Sequence, residues 1–232
     1  MRILFTILVL NVFVINHFYA QVTSEERVEI ELKDGYFNEE LIEFNENGIV
    51  IISQRKKDEN KKTELKFVKY DKHLKEDETV TISFSNKLSW IRTANSDEEL
   101  SVLLRSKNGA YELITIDVSD MSYTQVKGEF SKKIAVTGME INENVACIST
   151  TQVGNRLFPA MSYLIGKLKN KTPIILTIDK VSGKVNEIPV KFNIRPKGVS
   201  IQNIQVVENE FFVSVKSFIK NRESEMYVWH LN

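Results

Sequence analysis

Ile175-Leu176-Thr177-Ile178-Asp179 is the clearest copy of a motif that occurs four times in the chain, an apolar strand that ends in Asp or Asn. The other copies are Phe67-Val68-Lys69-Tyr70-Asp71, Leu113-Ile114-Thr115-Ile116-Asp117 and Val228-Trp229-His230-Leu231-Asn232. Their last residues are separated by 46, 62 and 53 positions. This period is too long for a leucine-rich repeat and close to that of a β-propeller blade, so it predicts a strand-rich repeat protein.

Further strands surround each copy of the motif. Two strands are predicted before each copy, at residues 41–44 and 48–53, 88–92 and 100–105, 134–141 and 145–149, and 199–207 and 211–216. A fourth strand follows the first three copies, at residues 79–84, 123–130 and 187–192. The first three repeats therefore contain four strands each, and the fourth repeat contains three.

Alternation of apolar and polar residues with a period of two supports this interpretation from end to end. In Val28-Glu29-Ile30-Glu31-Leu32 three apolar side chains share one face, and in Thr79-Val80-Thr81-Ile82-Ser83-Phe84 the hydroxyl groups share the other. Such β-branched segments fit a half-buried pleated sheet better than a helix. The sequence predicts an all-β, β-propeller-like fold of about four four-stranded antiparallel blades.

The missing fourth strand of the last repeat leaves two interpretations open. In one, residues 28–32 supply that strand and close a small four-bladed ring, which would cover the edge of the last strand. In the other, the chain is the front part of a longer propeller or forms a different arrangement of sheets.

One segment resembles a known family. Ile178-Asp179-Lys180-Val181-Ser182-Gly183-Lys184-Val185 is similar to the strand, Asp-x-x-x-Gly turn and strand of many bacterial β-propellers, including TolB-like and six-bladed types. The resemblance implies a propeller scaffold. Asp71, Asp117 and Asp179 are interpreted as turn formers, because an Asp side chain can accept hydrogen bonds from the backbone that follows it.

Two local signals predict how strands are connected. Asn108-Gly109 lies between two apolar runs and predicts a tight hairpin of type I′, in which both residues have positive φ. Pro189 falls in a predicted fourth strand, where its missing N–H is tolerated only at a sheet edge. Both signals agree with antiparallel blades.

The first twenty residues resemble a secretory signal peptide. Arg2 is followed by an apolar run at residues 3–14 and by Ala20, after which cleavage is expected. The run is too short to span a bilayer, which takes about 20 apolar residues. We expect a signal peptide at residues 1–20, a propeller-like domain at residues 21–232, and a secreted, periplasmic or cell-envelope protein with no stable membrane insertion after cleavage.

The charge balance argues against nucleic acid as a partner. The chain has 31 Lys and Arg and 31 Asp and Glu, and the expected leader removes one cation. A nucleic-acid-binding domain normally carries a basic excess on one face. The locally basic run at residues 55–62 also contains acids and lies between two strands, so it is interpreted as a solvated hairpin tip.

No pattern predicts a metal, a cofactor or a catalytic residue. Cys147 is the only cysteine, so no intramolecular disulfide can form, and its apolar neighbours predict a buried, inert thiol. His73 is expected at the surface and His230 packed within the last strand. Glu43 and Glu140 lie on first strands and could face a central channel, but they are interpreted as solvated strand residues.

The third repeat carries a longer connection than the others, at residues 151–166. Recognition residues often lie on such insertions of a rigid scaffold. Asn155, Arg156, Phe158 and Tyr163 combine hydrogen-bonding groups with aromatic faces, a set suited to peptides or sugars. We predict these four as ligand-binding residues, and the competing interpretation is an extended hairpin or a plug that covers the blade.

These observations favour an exported, non-catalytic interaction protein that binds a protein or glycan partner through its propeller-like scaffold. One alternative is a carbohydrate-active hydrolase or lyase, since a fold does not determine a function. Another is a truncated propeller without independent activity.

Overall fold

Antiparallel strands account for most of the residues that the computed structural model describes, which are 35–44, 48–57, 62–130, 134–152, 173–189, 198–218 and 224–231. The chain divides into two units, residues 1–33 and 34–232, and the described residues all belong to the second. Residues 28–32 lie outside the described part, so their predicted pairing with the last strand stays a prediction.

The described strands form four sheets, numbered here in chain order. Sheet 1 contains β1 (Tyr36–Glu43), β2 (Ile49–Lys57), β3 (Lys62–Tyr70) and β4 (Glu76–Ser85). Sheet 2 contains β5 (Leu88–Asn95), β6 (Glu99–Ser106), β7 (Ala110–Asp117) and β8 (Tyr123–Glu129). Sheet 3 contains β9 (Ile134–Ile141), β10 (Val145–Gln152), β11 (Pro173–Asp179) and β12 (Val185–Pro189). Sheet 4 contains β13 (Gly198–Val207), β14 (Glu210–Phe218) and β15 (Ser224–Leu231).

Strands that follow one another in sequence pair with one another in every sheet. Each sheet is an antiparallel meander, because consecutive strands turn back on each other through short connections. The predicted all-β, propeller-like fold is confirmed, with three sheets of four described strands and a last sheet of three.

The sheets stack in order through three apolar clusters. Sheets 1 and 2 share the first cluster, centred on Ile52, Phe67 and Leu104. Sheets 2 and 3 share the second, centred on Leu113 and Ile148, and sheets 3 and 4 share the third. Strand β7 is buried on both faces, since its alternate side chains enter the first and second clusters. Burial of this apolar surface on both sides of the middle sheets is the main source of stability.

Polar groups also join neighbouring sheets. The Lys180 ammonium group, which follows β11, binds the Glu99 carboxylate of β6 and the Asn142 carbonyl oxygen after β9. The Tyr111 hydroxyl group of β7 donates to the Gly183 carbonyl oxygen at 2.6 Å. These bonds hold the turn after β11 against sheet 2.

The aspartates at the ends of the third strands form turns, as predicted. Asp179 Oδ1 accepts a hydrogen bond from the Ser182 backbone N–H at 2.6 Å, and Asp71 Oδ1 accepts one from the Lys75 N–H at 2.9 Å. These backbone donors lower the pKa of both carboxyl groups. Asp117 Oδ1 binds the Ser119 N–H in the same way.

The glycine of the Asp-x-x-x-Gly turn has positive φ, at +68° for Gly183. Sheets 1 and 2 have no glycine at that place. Met121 (φ 54°) occupies it in sheet 2, Leu74 (φ 57°) lies one residue earlier in the turn of sheet 1, and both adopt the left-handed conformation. This conformation is strained for residues with a side chain. Met121 is buried in the first cluster, and this packing offsets the strain.

Other local predictions are confirmed with one correction. Asn108-Gly109 does connect β6 to β7, but only Gly109 (φ +106°) has positive φ, so the turn is not of type I′. The connection spans three residues, and the Gly109 N–H donates to the Ser106 carbonyl oxygen. A three-residue loop needs positive φ only at its last position. Pro189 ends the edge strand β12, as predicted.

Candidate functional site

A β-bulge interrupts the first strand of every sheet at the same position. Along each first strand it lies immediately before the pair Glu40–Ile52, Arg92–Leu103, Gly138–Ser149 or Asn203–Ser214, and each first strand has one residue more than its partner there. Bulges re-aim side chains and are common near functional sites. The first strands also adjoin one another, β5 against β9 and β9 against β13. The bulges therefore follow one another along the inner edge of the stack, and we call the four residues Glu40, Arg92, Gly138 and Asn203 the bulge row.

The first member of the bulge row binds the next sheet. Glu40 Oε2 accepts a hydrogen bond from the Thr93 hydroxyl group of β5 at 2.5 Å. The Trp90 indole N–H donates to the same Thr93 oxygen at 3.0 Å. The three side chains form a polar network between sheets 1 and 2, directly beside the first apolar cluster, which fixes the orientation of the Glu40 carboxylate.

The second member repeats this arrangement one sheet further. Arg92 Nη2 donates to the Thr137 carbonyl oxygen of β9 at 3.2 Å, and the Arg92 side chain is exposed. Thr137 is itself the extra residue of its bulge, and its hydroxyl group lies 2.9 Å from Ser149 Oγ. A guanidinium group has five N–H donors, so Arg92 retains donors for a ligand after this single bond.

The inner edge thus presents both hydrogen-bond donors and acceptors at the position of the bulges. They include the Glu40 carboxylate, the Arg92 guanidinium group, the Thr137 hydroxyl group and the Asn203 amide group. Donors and acceptors in near balance suit a polar ligand of low net charge, such as a glycan or a peptide backbone. The shared bulge position in all four sheets is what brings these groups together.

Glu140 of β9 differs from the other carboxylates on the first strands. It is half-buried, on the face of sheet 3 that packs against sheet 4, and lies opposite Cys147 in the neighbouring strand. Burial raises the pKa of the Glu140 carboxyl group. Burial and the nearby Glu140 carboxylate raise the pKa of the Cys147 thiol to about 12. Cys147 is therefore buried and protonated, as predicted from its apolar neighbours.

The position of Glu140 predicts a pH-dependent stability. Its folded-state pKa lies above the unfolded value of about 4.3, so the folded state loses stability as pH rises through the folded pKa. Glu140→Gln removes this dependence, and we expect the variant to be more stable than wild type at neutral pH and little changed at about pH 4. Urea unfolding between pH 4 and 8 measures both.

A control for this prediction is the exposed Glu43 of β1. Glu43→Gln makes the same chemical change on an exposed side chain of another first strand. If Glu140→Gln follows the wild-type profile at every pH, the half-buried carboxylate does not contribute to it.

The residues singled out in the sequence have different outcomes. Asn155, Arg156, Phe158 and Tyr163 lie outside the described residues, so their role in ligand binding stays a prediction. Glu43 and His73 are exposed, as expected. Glu140 was interpreted as a solvated residue and is half-buried instead, because it points between two sheets.

His230 was expected to be packed, but its side chain is 40% exposed, because β15 is an edge strand and no described sheet covers this face. Its ring stacks on Phe212, with centroids 5.0 Å apart, and Nε2 lies 2.7 Å from Glu210 Oε2. Met226 and Val228, on the same face of sheet 4, are 67% and 65% exposed. Strand β15 is thus the exposed exception among third strands, since β3, β7 and β11 are mostly buried.

The described residues contain no helix that is long and apolar enough to cross a membrane. Among the same residues, no three His, Cys, Asp or Glu side chains are grouped so that they could hold a metal ion.

Comparison with known proteins gives structural similarity only. No protein-family model and no curated protein sequence matches the chain. The β-propeller domain of the Trilobed protease from Pyrococcus furiosus, described as having an open velcro topology, is similar with a TM-score of 0.43 and 14% identity over 79% of this chain and 51% of that chain. A Synechocystis apocarotenoid oxygenase mutant, Trp149Ala in that enzyme's own numbering, has a TM-score of 0.44 and 8% identity over 79% and 46%.

The chain thus spans about half the length of these solved structures. At this level of similarity the comparisons say nothing about a substrate or a partner of this chain. The fold is assigned from the order and pairing of the strands.

Proposed function

We propose that the chain is an exported, non-catalytic interaction protein that binds a protein or glycan partner through the inner edge of its propeller-like scaffold. The observation that carries this proposal is the bulge at the same position of all four first strands, which presents Glu40, Arg92, Thr137 and Asn203 along one edge. A rigid stack of sheets that repeats one irregularity offers an extended surface for a polar partner.

The proposed compartment follows from the leader-like residues 1–20, and secretion or retention in the cell envelope would bring the scaffold to extracellular proteins and glycans. The turn from Asp179 to Gly183 supports a relation to bacterial propellers of the TolB-like or six-bladed type. Mass spectrometry of the N-terminus from the native host tests export, which predicts a chain that begins near Gln21.

Binding is tested with a glycan array and a random peptide library, using the mature chain. Ligands selected by the wild-type protein are titrated against Arg92→Ala, against Lys72→Ala as a control on an exposed turn, and against a variant with alanine at Asn155, Arg156, Phe158 and Tyr163. Loss of a charge-assisted hydrogen bond is expected to weaken binding to Arg92→Ala by about tenfold.

The outcomes separate the two candidate surfaces. Weaker binding to Arg92→Ala with unchanged binding to Lys72→Ala supports the inner edge. Wild-type affinity for Arg92→Ala together with lost binding in the quadruple variant would transfer the function to the insertion at residues 151–166. Selection of no ligand from either collection would contradict the proposal.

A carbohydrate-active hydrolase is the second candidate, and Glu140 is the observation that favours it. A carboxyl group with a raised pKa can remain protonated and act as a general acid. Wild-type protein that cleaves glycans selected on the array, with activity lost in Glu140→Gln, would favour the enzyme over the binding protein.

A further inference from the structure

The edges of the described sheets differ in how they are protected. Backbone N–H and C=O groups at a sheet edge can pair with another chain, and proteins limit this with bulges, charges, proline or short strands. The four first strands each carry a bulge. Among the fourth strands, β4 begins with three acids at residues 76–78, β8 carries Lys127 and Glu129, and β12 has five residues and ends at Pro189. The edge of β15 is the exception.

Strand β15 is a long and regular edge strand. Its eight residues pair with β14 without a bulge, and no described strand lies on its other side. Glu225 is its one acid, and residues 226–231 contain no Lys, Arg, Gly or Pro. An apolar segment of this kind at an open edge is a template for pairing with a further strand.

The face of β15 that points away from sheet 3 is apolar as well. Leu231 packs into the third cluster, and because side chains alternate along a strand, Met226 and Val228 lie on the opposite face. They are 67% and 65% exposed. Singly exposed apolar side chains are normal, but these two are neighbours beside an open edge. The strand that pairs there would therefore bring apolar side chains at alternate positions of the same face.

A second copy of β15 has this pattern. In an antiparallel pair related by a twofold axis, two copies of one strand lie side by side with the same residues on the same face. If the axis passes beside Tyr227, Met226 of each copy lies opposite Val228 of the other. Both exposed side chains then gain an apolar cross-strand neighbour, and residues 224–230 all have a partner.

We propose that two copies of the chain associate through antiparallel pairing of their β15 strands, in the register centred on Tyr227. Each copy has one such edge, so the association closes at two copies. Pairing of one eight-residue strand buries less than the roughly 1,200 Å² of a stable complex, so the dimer is reversible. This inference goes beyond the proposed function: β15 lies at the opposite edge of sheet 4 from β13, and the inner edges of both copies remain free.

Sedimentation velocity of the mature chain over a wide range of concentrations tests the dimer, and we expect the dimer fraction to rise with concentration. Two double variants test the register. Met226→Lys with Val228→Lys places two lysines opposite each other twice in the dimer, whereas Met226→Glu with Val228→Lys places opposite charges there. We expect the variant with opposite charges to dimerise about tenfold more tightly than the variant with two lysines. Thermal melting checks that both variants are folded.

Val181→Lys is the matched control. Val181 lies in the turn after β11 and is 88% exposed, so the variant adds the same charge away from β15 and should dimerise as wild type does. A register centred on Val228 would instead place the two Val228 residues opposite each other. The variant with opposite charges would then dimerise as weakly as the variant with two lysines, and this result would contradict the register centred on Tyr227.

A wild-type chain that sediments as a monomer at every concentration would overturn the proposal. If Ile30→Pro then produces a dimer, the edge of β15 is covered by residues 28–32 of the same chain, because proline prevents regular strand pairing there. A dimer that is equally tight in wild type and in the folded variant with two lysines would place the contact elsewhere and would also overturn the proposal. Binding through the inner edge is tested separately by Arg92→Ala.

Discussion

Gly48→Ala is expected to lower the free energy of unfolding by about 3 kcal/mol or more. Gly48 precedes β2 with a φ of +88°, and a Cβ atom there would lie 2.0 Å from the Tyr70 carbonyl oxygen. The backbone carbon of Asp71 would lie 3.0 Å from the same Cβ atom. Because all of these neighbours are backbone atoms, the clash cannot be relieved by the movement of a flexible side chain. Urea unfolding of the two proteins measures the difference.

Gly35→Ala is the matched control for this substitution. Gly35 has nearly the same φ, +86°, but the nearest atom to an added Cβ is Arg55 Nε at 3.6 Å, an ordinary contact. This variant should lose only the cost of the left-handed conformation, about 1 kcal/mol. Equal losses at the two glycines would show that conformational strain alone, and not the close approach to Tyr70, explains the effect.

Lys180→Met is expected to cost about 3 kcal/mol or more, because it leaves the Glu99 carboxylate without its partner between sheets 2 and 3. The Lys180 side chain is 5% exposed and also binds the Asn142 carbonyl oxygen. Removing one member of a buried ion pair is more harmful than replacing both. Thermal or urea unfolding measures the loss.

Two comparisons test this explanation. The double variant Lys180→Met with Glu99→Leu should recover part of the lost stability, since no charge remains unpaired. Lys127→Met breaks the ion pair between Lys127 and Glu112. The Lys127 side chain is 63% exposed, so this loss should cost less than about 1 kcal/mol. If Lys180→Met is as stable as Lys127→Met, the ion pair between Lys180 and Glu99 does not contribute to the stability of the contact between sheets 2 and 3.

Much of the fold could be predicted, because the strands of a regular sheet keep a period of two in their sequence, and strands buried on both faces still show as short apolar runs. The predicted first strand at residues 134–141 matches β9, and the Asp-ended strands end where β3, β7 and β11 end, within one residue. The fourth strand predicted at residues 187–192 instead begins at Val185, since pairing with β11 determines its start.

The bulges could not be predicted. The residues inserted at three of them, Ile91, Thr137 and Gln202, share no residue type, because a bulge is specified by the pairing of two strands and not by composition. The left-handed conformation of Met121 could not be predicted either, because no glycine marks the turn. It depends on the packing of Met121 into the first cluster, which is a tertiary contact.

None of the residues of the bulge row was singled out in the sequence. Glu140 was recognised as a residue of a first strand that could face a central channel, but alternation alone does not tell which face is covered by a neighbouring sheet. Its half-buried state depends on the stacking of sheets 3 and 4, which is a contact between distant parts of the sequence. That Gly138 lies in line with Glu40 and Arg92 becomes visible only once the bulges are known.

The three apolar clusters each join one sheet to the next, and this has a consequence for how the protein opens. Among the described residues no apolar cluster joins sheet 4 to sheet 1, and units coupled in this way lose cooperativity from the ends inward, as in linear arrays. Amide protons in sheet 2, which is held on both faces, should exchange through the rarest openings, whereas those of β15 should exchange through frequent local ones. A perturbation of the third cluster would then loosen sheet 4 while sheets 1 and 2 keep their protection, so damage at one end of the molecule can remain local.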